Sequence, residues 1–391
     1  MLLKTEIVNT ASAKHLISIW SQLYAPDLSA LPFAQNPLLY SELLETASPT
    51  GRASTAAKLH KQIEITCEVS SVQTNSLYNY MQSKMDLREV GRLADVTLKV
   101  YMELLELYRQ HPVSQTLSSL SAVELGAQDL SLSSLGIPDI EQFANTLEPI
   151  LLEFQEEHAL SEDWRTFGFL TTQFSFCNQW LVKKLTPIEQ VLLSPYFKFV
   201  EEHISHPWPR VCAAAAQHSI NSPVLTLAAT MIPMGEEIAQ TVYQRLNKLI
   251  PYHRSRRGGL NNPEVTHSCI RDLEMFQAYF WLCVLEGSMA PIEQELLGFY
   301  VMVLPSLGVK WELIEMSTHA LADEIINRIE SSQQQHVLPY IRRMHQAFLN
   351  ARESLDTPLA RLVSDVLPTP TASQYGEGFS SQKKSFELSV L

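Results

Sequence analysis

Apolar residues return at intervals of three and four along almost the whole chain, as in Leu98, Tyr101, Leu105 and Tyr108, and again in Ile238, Val242, Leu246 and Leu249. That is the period of a helix burying one face, whereas a half-buried strand alternates every second residue. Alternating runs are scarce. Thirteen glycines in 391 residues is also a low count for a chain built on tight β-turns. The fold is expected to be all-α, with no strand between 228 and 330.

A hydrophobic fraction of 46% against 18% charged residues is enough for substantial cores, and the length leaves room for two to three ordinary domains. The net charge of −13 argues against nucleic acid as a partner, because phosphate binding relies on clustered Lys and Arg. The one basic cluster, 254–257, is too short to change that. Five cysteines, Cys67, Cys177, Cys212, Cys269 and Cys283, form no paired metal-type spacing, and the first six residues carry no signal-peptide core. The simplest expectation is a reducing cytoplasm. The longest apolar stretch, from Leu273 to Leu285 with Glu274 inside it, is shorter than the roughly 20 residues of a membrane span, so any membrane association would be peripheral.

Ser161, Glu162 and Asp163 read as a helix start ahead of an apolar run that ends at Leu185, Thr186 and Pro187. The division expected from this is a helical domain over 1–160, a connecting helix over 161–184 and a second domain over 185–350. From 356 to 391 the apolar period fades into a polar, proline-containing tail that buries too little surface to offset its ordering entropy, and disorder is expected there. Around 187–204, Leu185, Ile188, Leu192, Tyr196, Phe199 and Val200 make an apolar side too large for a monomer surface. Such a face marks an interface or packs on the preceding domain.

Chemistry concentrates in Cys269, Arg271 and Asp272. Cys269 and Asp272 are three residues apart and share a helix face. A thiol that can form a thioether, a carboxylate that can accept pyrrole N–H bonds and an arginine that can pair with a propionate are the parts needed to hold a linear tetrapyrrole. The plainer alternative is a buried thiol beside a local Arg271 to Asp272 ion pair. His203, His206 and His218 are read as loop histidines, since Pro207 and Pro209 break any helix the first two could share with the third. No phosphate loop, serine elbow or Cys-x-x-Cys pair is present, so no enzyme signature is seen.

The segment from Cys269 through Gly287 to Leu307, Gly308, Val309 and Trp311 resembles the bilin-attachment region of phycobiliproteins, with its cysteine, arginine and aspartate start, its helix-closing glycine and its leucine–glycine turn. Ala228 to Leu246 looks like the helix before the chromophore loop, and the resemblance covers about 185–345. It implies a globin-like bundle in which helices at 228–249, 269–285 and 292–304 pack together. It further implies a phycobilin at Cys269, placed in the first turn of its helix where the macrodipole would favour a thiolate. Asp272 would then bond the central pyrrole nitrogens, Arg271 a propionate, and Trp311 would wall the pocket.

The chain departs from the family at several points. Glu264, Val265 and His267 stand where a basic residue usually precedes the cysteine, Ala278 replaces a further arginine, and Met275 and Phe276 replace paired tyrosines. Arginines 254–257 could substitute only if their loop folds back. The first half reads as a worn copy of the second, with Asp95 in the place of Asp272, Arg92 in that of the cysteine, and Leu135, Gly136, Ile137 and Pro138 as its turn. An unrelated helical domain is the alternative.

The function implied by the resemblance is a phycobilisome-associated protein of the photosynthetic antenna, carrying one bilin or serving as a docking module. Phycobiliprotein subunits or linker proteins would be its partners, homo-oligomers are allowed, and it would sit in the cytoplasm or on the cytoplasmic face of thylakoids. The competing reading is a chromophore-free, globin-like interaction or sensor protein.

Overall fold

The computed structural model describes residues 5–28, 31, 36, 38–78, 87–112, 136, 137, 139–159, 165–304 and 307–356. The helix start expected at 161–163, Leu135, Pro138 and all but the first residue of the polar tail lie outside them. Met1–Phe348 make up one compact unit and Leu349–Leu391 a second. Among the described residues the protein is all-α. Its first part comprises α1 (Ala11–Gln22), α2 (Leu38–Ala47), α3 (Pro49–Leu77), α4 (Leu87–Gln110), α5 (Ile140–Ala159) and α6 (Arg165–Val182). The second part comprises α7 (Pro187–His203), α8 (Trp208–Ala215), α9 (Pro223–Met231), α10 (Gly235–Leu249), α11 (Pro263–Glu286), α12 (Leu297–Val303), α13 (Trp311–Arg328) and α14 (Leu338–Asp356). No helix among them is long and apolar enough to cross a membrane.

The helices start where side chains take up the unpaired first-turn amides. Ser48 accepts from the Gly51 amide at 3.1 Å ahead of Pro49 in α3. At α7, Thr186 and Glu189 cap each other reciprocally, and Glu189 also receives Thr55 at 3.1 Å and Lys58 at 2.7 Å from α3. One capping residue therefore also fixes how the longest helix meets α7.

The apolar face of α7 is fully covered from within the chain. Tyr196 meets Tyr108 edge-on at 5.4 Å and Phe143 at 4.9 Å, while Phe199 meets Tyr24 at 5.2 Å and stacks on Phe143 at 4.8 Å. Of the two occupants expected for this face, the preceding helices hold it. Their apolar burial is continuous with that of the second half, from Leu16 to Phe348, and the boundary expected near Pro187 falls inside this core. His203 ends α7 as a buried residue stacked on Phe199 at 4.7 Å, and His206 is buried just beyond, so neither is a solvent loop histidine. The aromatic density around α7 leaves them no other place.

The helices expected in the second half are present, with changes at their bounds: α11 starts at Pro263 rather than Cys269, and a π-helical segment, Pro291–Leu296, precedes α12. A 3₁₀ turn over Ile232–Met234 separates α9 from α10, because Pro233 removes an amide from the α-ladder. The loop before α11 holds a two-residue antiparallel pairing, Arg254 with Gly259 and Ser255 with Gly258, so the stretch 228–330 is not free of strand. Gly258 at φ 124° turns that hairpin. Gly287 closes α11 at φ 67°, the left-handed cap that a side chain would strain.

Candidate functional site

Asn262 accepts from the Glu264 amide at 2.8 Å and Pro263 takes the first helical position, so α11 begins about two turns ahead of Cys269. The first-turn placement expected for the cysteine is thereby corrected. The macrodipole acts within the first turn, and Cys269 lies beyond its reach. Burial, with the negative charge of Asp272 behind it, instead pushes the thiol up to about 12. Cys269 is nonetheless half-buried, whereas Cys67, Cys177, Cys212 and Cys283 are buried.

Cys269 and Asp272 share a face as their spacing requires, and two clefts meet at that face. One encloses about 790 Å³ including its mouth and is lined by Tyr78, Thr172, Arg257, Met275 and Leu307 besides the pair. The other, about 610 Å³, is walled by Tyr243, Phe276, Tyr300, Ile314 and Leu321. Leu260, Leu304, Val309 and Leu313 line both, so the surface around the thiol and carboxylate is apolar on either side.

Arg271 also lines the larger cleft, but its guanidinium is already engaged by two carboxylates. Its Nη1 donates to Glu201 at 2.9 Å and its Nη2 to Asp272 Oδ1 at 3.0 Å. Glu201 also pairs with His267 Nε2 at 2.8 Å and accepts from Asn178 at 3.1 Å, and Asn178 in turn accepts from the Tyr101 hydroxyl at 2.6 Å. Burial alone would raise the Glu201 carboxyl, but the hydrogen bond and charge of His267, followed by the charge of Arg271, outweigh it and hold the group at about 2. A polar chain thus runs from α4 through α6 and α7 to α11.

Arg257 takes the place that the sequence leaves conditional. Its loop does fold back. The Arg256 amide donates to Leu307 at 2.8 Å, and Arg257 donates to Ser268 at 2.8 Å and Glu264 at 3.3 Å from above the Phe176 ring at 5.2 Å. Its Nε is buried without a partner while the side chain lines the larger cleft. Trp311 lines neither cleft. Its ring packs beside Phe348 at 6.0 Å, which in turn meets Phe276 at 5.4 Å, so it stands one layer behind the wall.

Glu201 and Asn178 lie far from Cys269 in sequence and carry no motif. The one signal for Glu201 is a carboxylate set among Phe197, Phe199 and Val200, where a charge needs a partner. Among the described residues no group of His, Cys, Asp and Glu could hold a metal ion.

The family model for phycobilisome proteins matches residues 215–348, about a third of the chain. This part is similar to that family, whose fold is globin-like and all-α, in agreement with the helices seen here. The match takes in α9 to α13, both sides of Cys269 and all of the smaller cleft. No curated protein and no solved structure matches the chain.

Proposed function

We propose that the protein is a non-catalytic, phycobiliprotein-like component of the light-harvesting antenna that holds one open-chain tetrapyrrole through a thioether at Cys269. The observation that carries this reading is the meeting of two apolar clefts at one half-buried thiol and one carboxylate. An elongated, mostly apolar pigment suits a pair of joined clefts. The bound pigment would supply visible absorption and, when its pyrroles are protonated, a positive charge.

The chain's own residues divide the work. Asp272 keeps Oδ2 for the cleft while Arg271 fixes Oδ1, so Arg271 positions the counter-ion. Arg257, with a buried and unpartnered donor, is the better placed partner for a propionate. Trp311 stiffens the smaller cleft through Phe348 and Phe276. Cys269 must lose its proton to bond, and a thiol pushed up to about 12 does so slowly at neutral pH, which favours attachment assisted by a lyase. Phycobiliprotein subunits or linker proteins are the proposed partners, at the cytoplasmic face of thylakoids.

Co-expression with a bilin-synthesis system and lyases, followed by zinc-enhanced fluorescence on a denaturing gel, tests this. A covalent band that Cys269→Ala abolishes is expected. Asp272→Asn should keep the band but shift the absorption to the blue and broaden it, because the counter-ion is lost. The ion pairs of Arg271 with Glu201 and Asp272, formed without a ligand, favour the chromophore-free interaction module instead. Absence of any band with the common bilins and lyases would select that second reading.

A further inference from the structure

A second cavity, independent of the Cys269 clefts, opens among α1, α7, α10 and α11. It encloses about 780 Å³ and its lining is polar, with Lys198, Glu202, His206, Glu236, Glu274 and Gln277 around it. Three carboxylates face one cation. Lys198 lies 3.4 Å from Glu236 and 3.7 Å from Glu202, so it is shared between two of them.

Two buried acceptors in this lining have no partner. The Gln277 side-chain amide donates to the Gly235 carbonyl at 2.9 Å and the Leu273 carbonyl at 3.3 Å. Only its NH₂ can serve two carbonyls, so Oε1 is fixed as the outward acceptor, and it is buried and unpartnered. His206 Nδ1 lies 3.2 Å from the Glu202 carbonyl and 3.0 Å from the Ser205 hydroxyl, and in the tautomer that donates to the carbonyl Nε2 carries the lone pair. That atom too is buried and unpartnered. Gln277 and His206 are each 3% exposed. Buried acceptors left unpaired are costly, and here they coincide with three carboxyl groups around one lysine.

We propose that this cavity binds a small primary ammonium cation, whose N–H donors are taken by Gln277 Oε1, His206 Nε2 and the Glu274 and Glu202 carboxylates. An ammonium supplies three donors and one positive charge. Those suit the two unpaired acceptors and the excess of three carboxyl groups over the single Lys198. An anion would meet the three carboxylates, and a donor-free cation would leave the two orphaned acceptors unpaired.

The facing charges make the binding proton-linked. Lys198 and Glu202 come from α7, Glu236 from α10, Glu274 and nearby Arg271 from α11, and His206 from the turn after α7. Burial, then Glu202, pushes Glu274 up to about 8, whereas burial and Arg271 hold His206 down to about 3. At neutral pH Glu274 therefore keeps a proton that an entering ammonium displaces, and His206 stays an acceptor throughout. Affinity should rise about tenfold between pH 7 and pH 9 as Glu274 ionises.

The test is calorimetric titration of the full chain with ethylammonium chloride at pH 7, 8 and 9, beside tetramethylammonium chloride, which has the charge and no N–H donor. Saturable ethylammonium binding that strengthens with pH and that tetramethylammonium does not match is the expected result. Glu274→Gln should reduce the pH dependence, leaving the part due to Glu202, whose carboxyl burial also raises, and weaken binding about tenfold. Glu236→Gln, at an exposed side chain, should weaken it several-fold by removing one of the three carboxylates that face the cavity, and carries the test if the first variant fails to fold. No saturable heat, equal binding of both cations, or indifference to Glu236→Gln would overturn the proposal and leave a water-filled cavity.

Discussion

The helices α4 and α11 are both 24 residues long, and the sequence puts Arg92 and Asp95 of one in register with Cys269 and Asp272 of the other. Their surroundings differ completely. On α4 only one face is buried, through Leu93, Val100, Tyr101, Leu104 and Tyr108, while Arg92 and Asp95 stand in solvent. On α11 every residue from 275 to 285 is buried, and the turns before it border two clefts. A register match therefore fixes which residues correspond and not whether a site forms. The site comes from what other elements bring: Glu201 from α7, Arg257 from the hairpin, and apolar walls from α10, α12 and α13.

The largest expected difference lies in the core. Phe280 is fully buried on α11 and meets Trp281 edge-on at 5.3 Å, so Phe280→Ala should cost about 3–5 kcal/mol in urea unfolding. Met102→Ala on α4, where the side chain is 37% exposed, should change stability by less than about 0.5 kcal/mol. Equal costs would show that α11 is not the central helix of the unit.

Next comes charge. Glu201 sits at about 2 against an ordinary 4.5, so its folded pKa is depressed and its stabilisation is present above about pH 5 and lost as pH falls through 2. The shift corresponds to about 3 kcal/mol. Glu201→Gln should remove that acid-dependent slope and leave Arg271 under-compensated, a loss of about 3 kcal/mol or more at pH 7. The corresponding surface pair on α4, Glu106 with Arg109 at 2.7 Å, is solvated on both sides, and Glu106→Gln should leave the unfolding curve where it was. Urea midpoints measured from pH 7 down to pH 3 separate the two cases.

Much of this architecture can be read from residue order, and the limit has a physical cause. Helical period and Gly287 place the body and end of α11, although its start lies at Pro263 and not at the expected Cys269, and the three-residue spacing puts Cys269 and Asp272 on one face, because these are local effects of backbone geometry. Partner choice is not local. The resemblance makes Arg271 a propionate ligand, but Glu201, 70 residues away, takes it. Arg257 can be read only conditionally, since nothing in 254–257 says that the hairpin docks on the Leu307 carbonyl. Trp311 stands one layer out, because its neighbour Phe348 arrives from α14. The cover on α7 stays open between two occupants in the sequence for the same reason.

The two leucine–glycine turns give a smaller and sharper contrast. Gly136 and Gly308 both adopt the left-handed region, at φ 69° and 73°. A Cβ on Gly308 would meet nothing nearer than the Arg256 amide at 3.5 Å, so Gly308→Ala should cost only the backbone strain, about 1–2 kcal/mol. On Gly136 it would stand 2.2 Å from the His111 carbonyl and 2.7 Å from Arg52 Nη2. It would also disturb the Gly136 carbonyl, which accepts from Arg52 at 3.1 Å and Tyr196 at 2.9 Å. Gly136→Ala should therefore cost about 2 kcal/mol more than Gly308→Ala. Matching losses in thermal unfolding would mean that the first turn has room to relax.

The smallest expected effect bears most directly on the proposed repeat. Arg92 is exposed and pairs loosely with Glu89 at 3.8 Å within one turn, so Arg92→Cys should leave stability within about 0.5 kcal/mol of the parent. It also recreates on α4 the cysteine that the register requires, three residues before Asp95. If the corresponding spacing were sufficient, this variant in a Cys269→Ala background would acquire a zinc-fluorescent band under co-expression. Neither Arg92 nor Asp95 lines either cleft, and a thiol in open solvent has no apolar walls to hold a pigment against. The expected outcome is therefore no band, although the thiol introduced by Arg92→Cys would alkylate faster than Cys269 in the parent, which burial pushes up to about 12. A band on the variant would show that attachment needs only the spacing, and the clefts around Cys269 would lose their place in the proposed function.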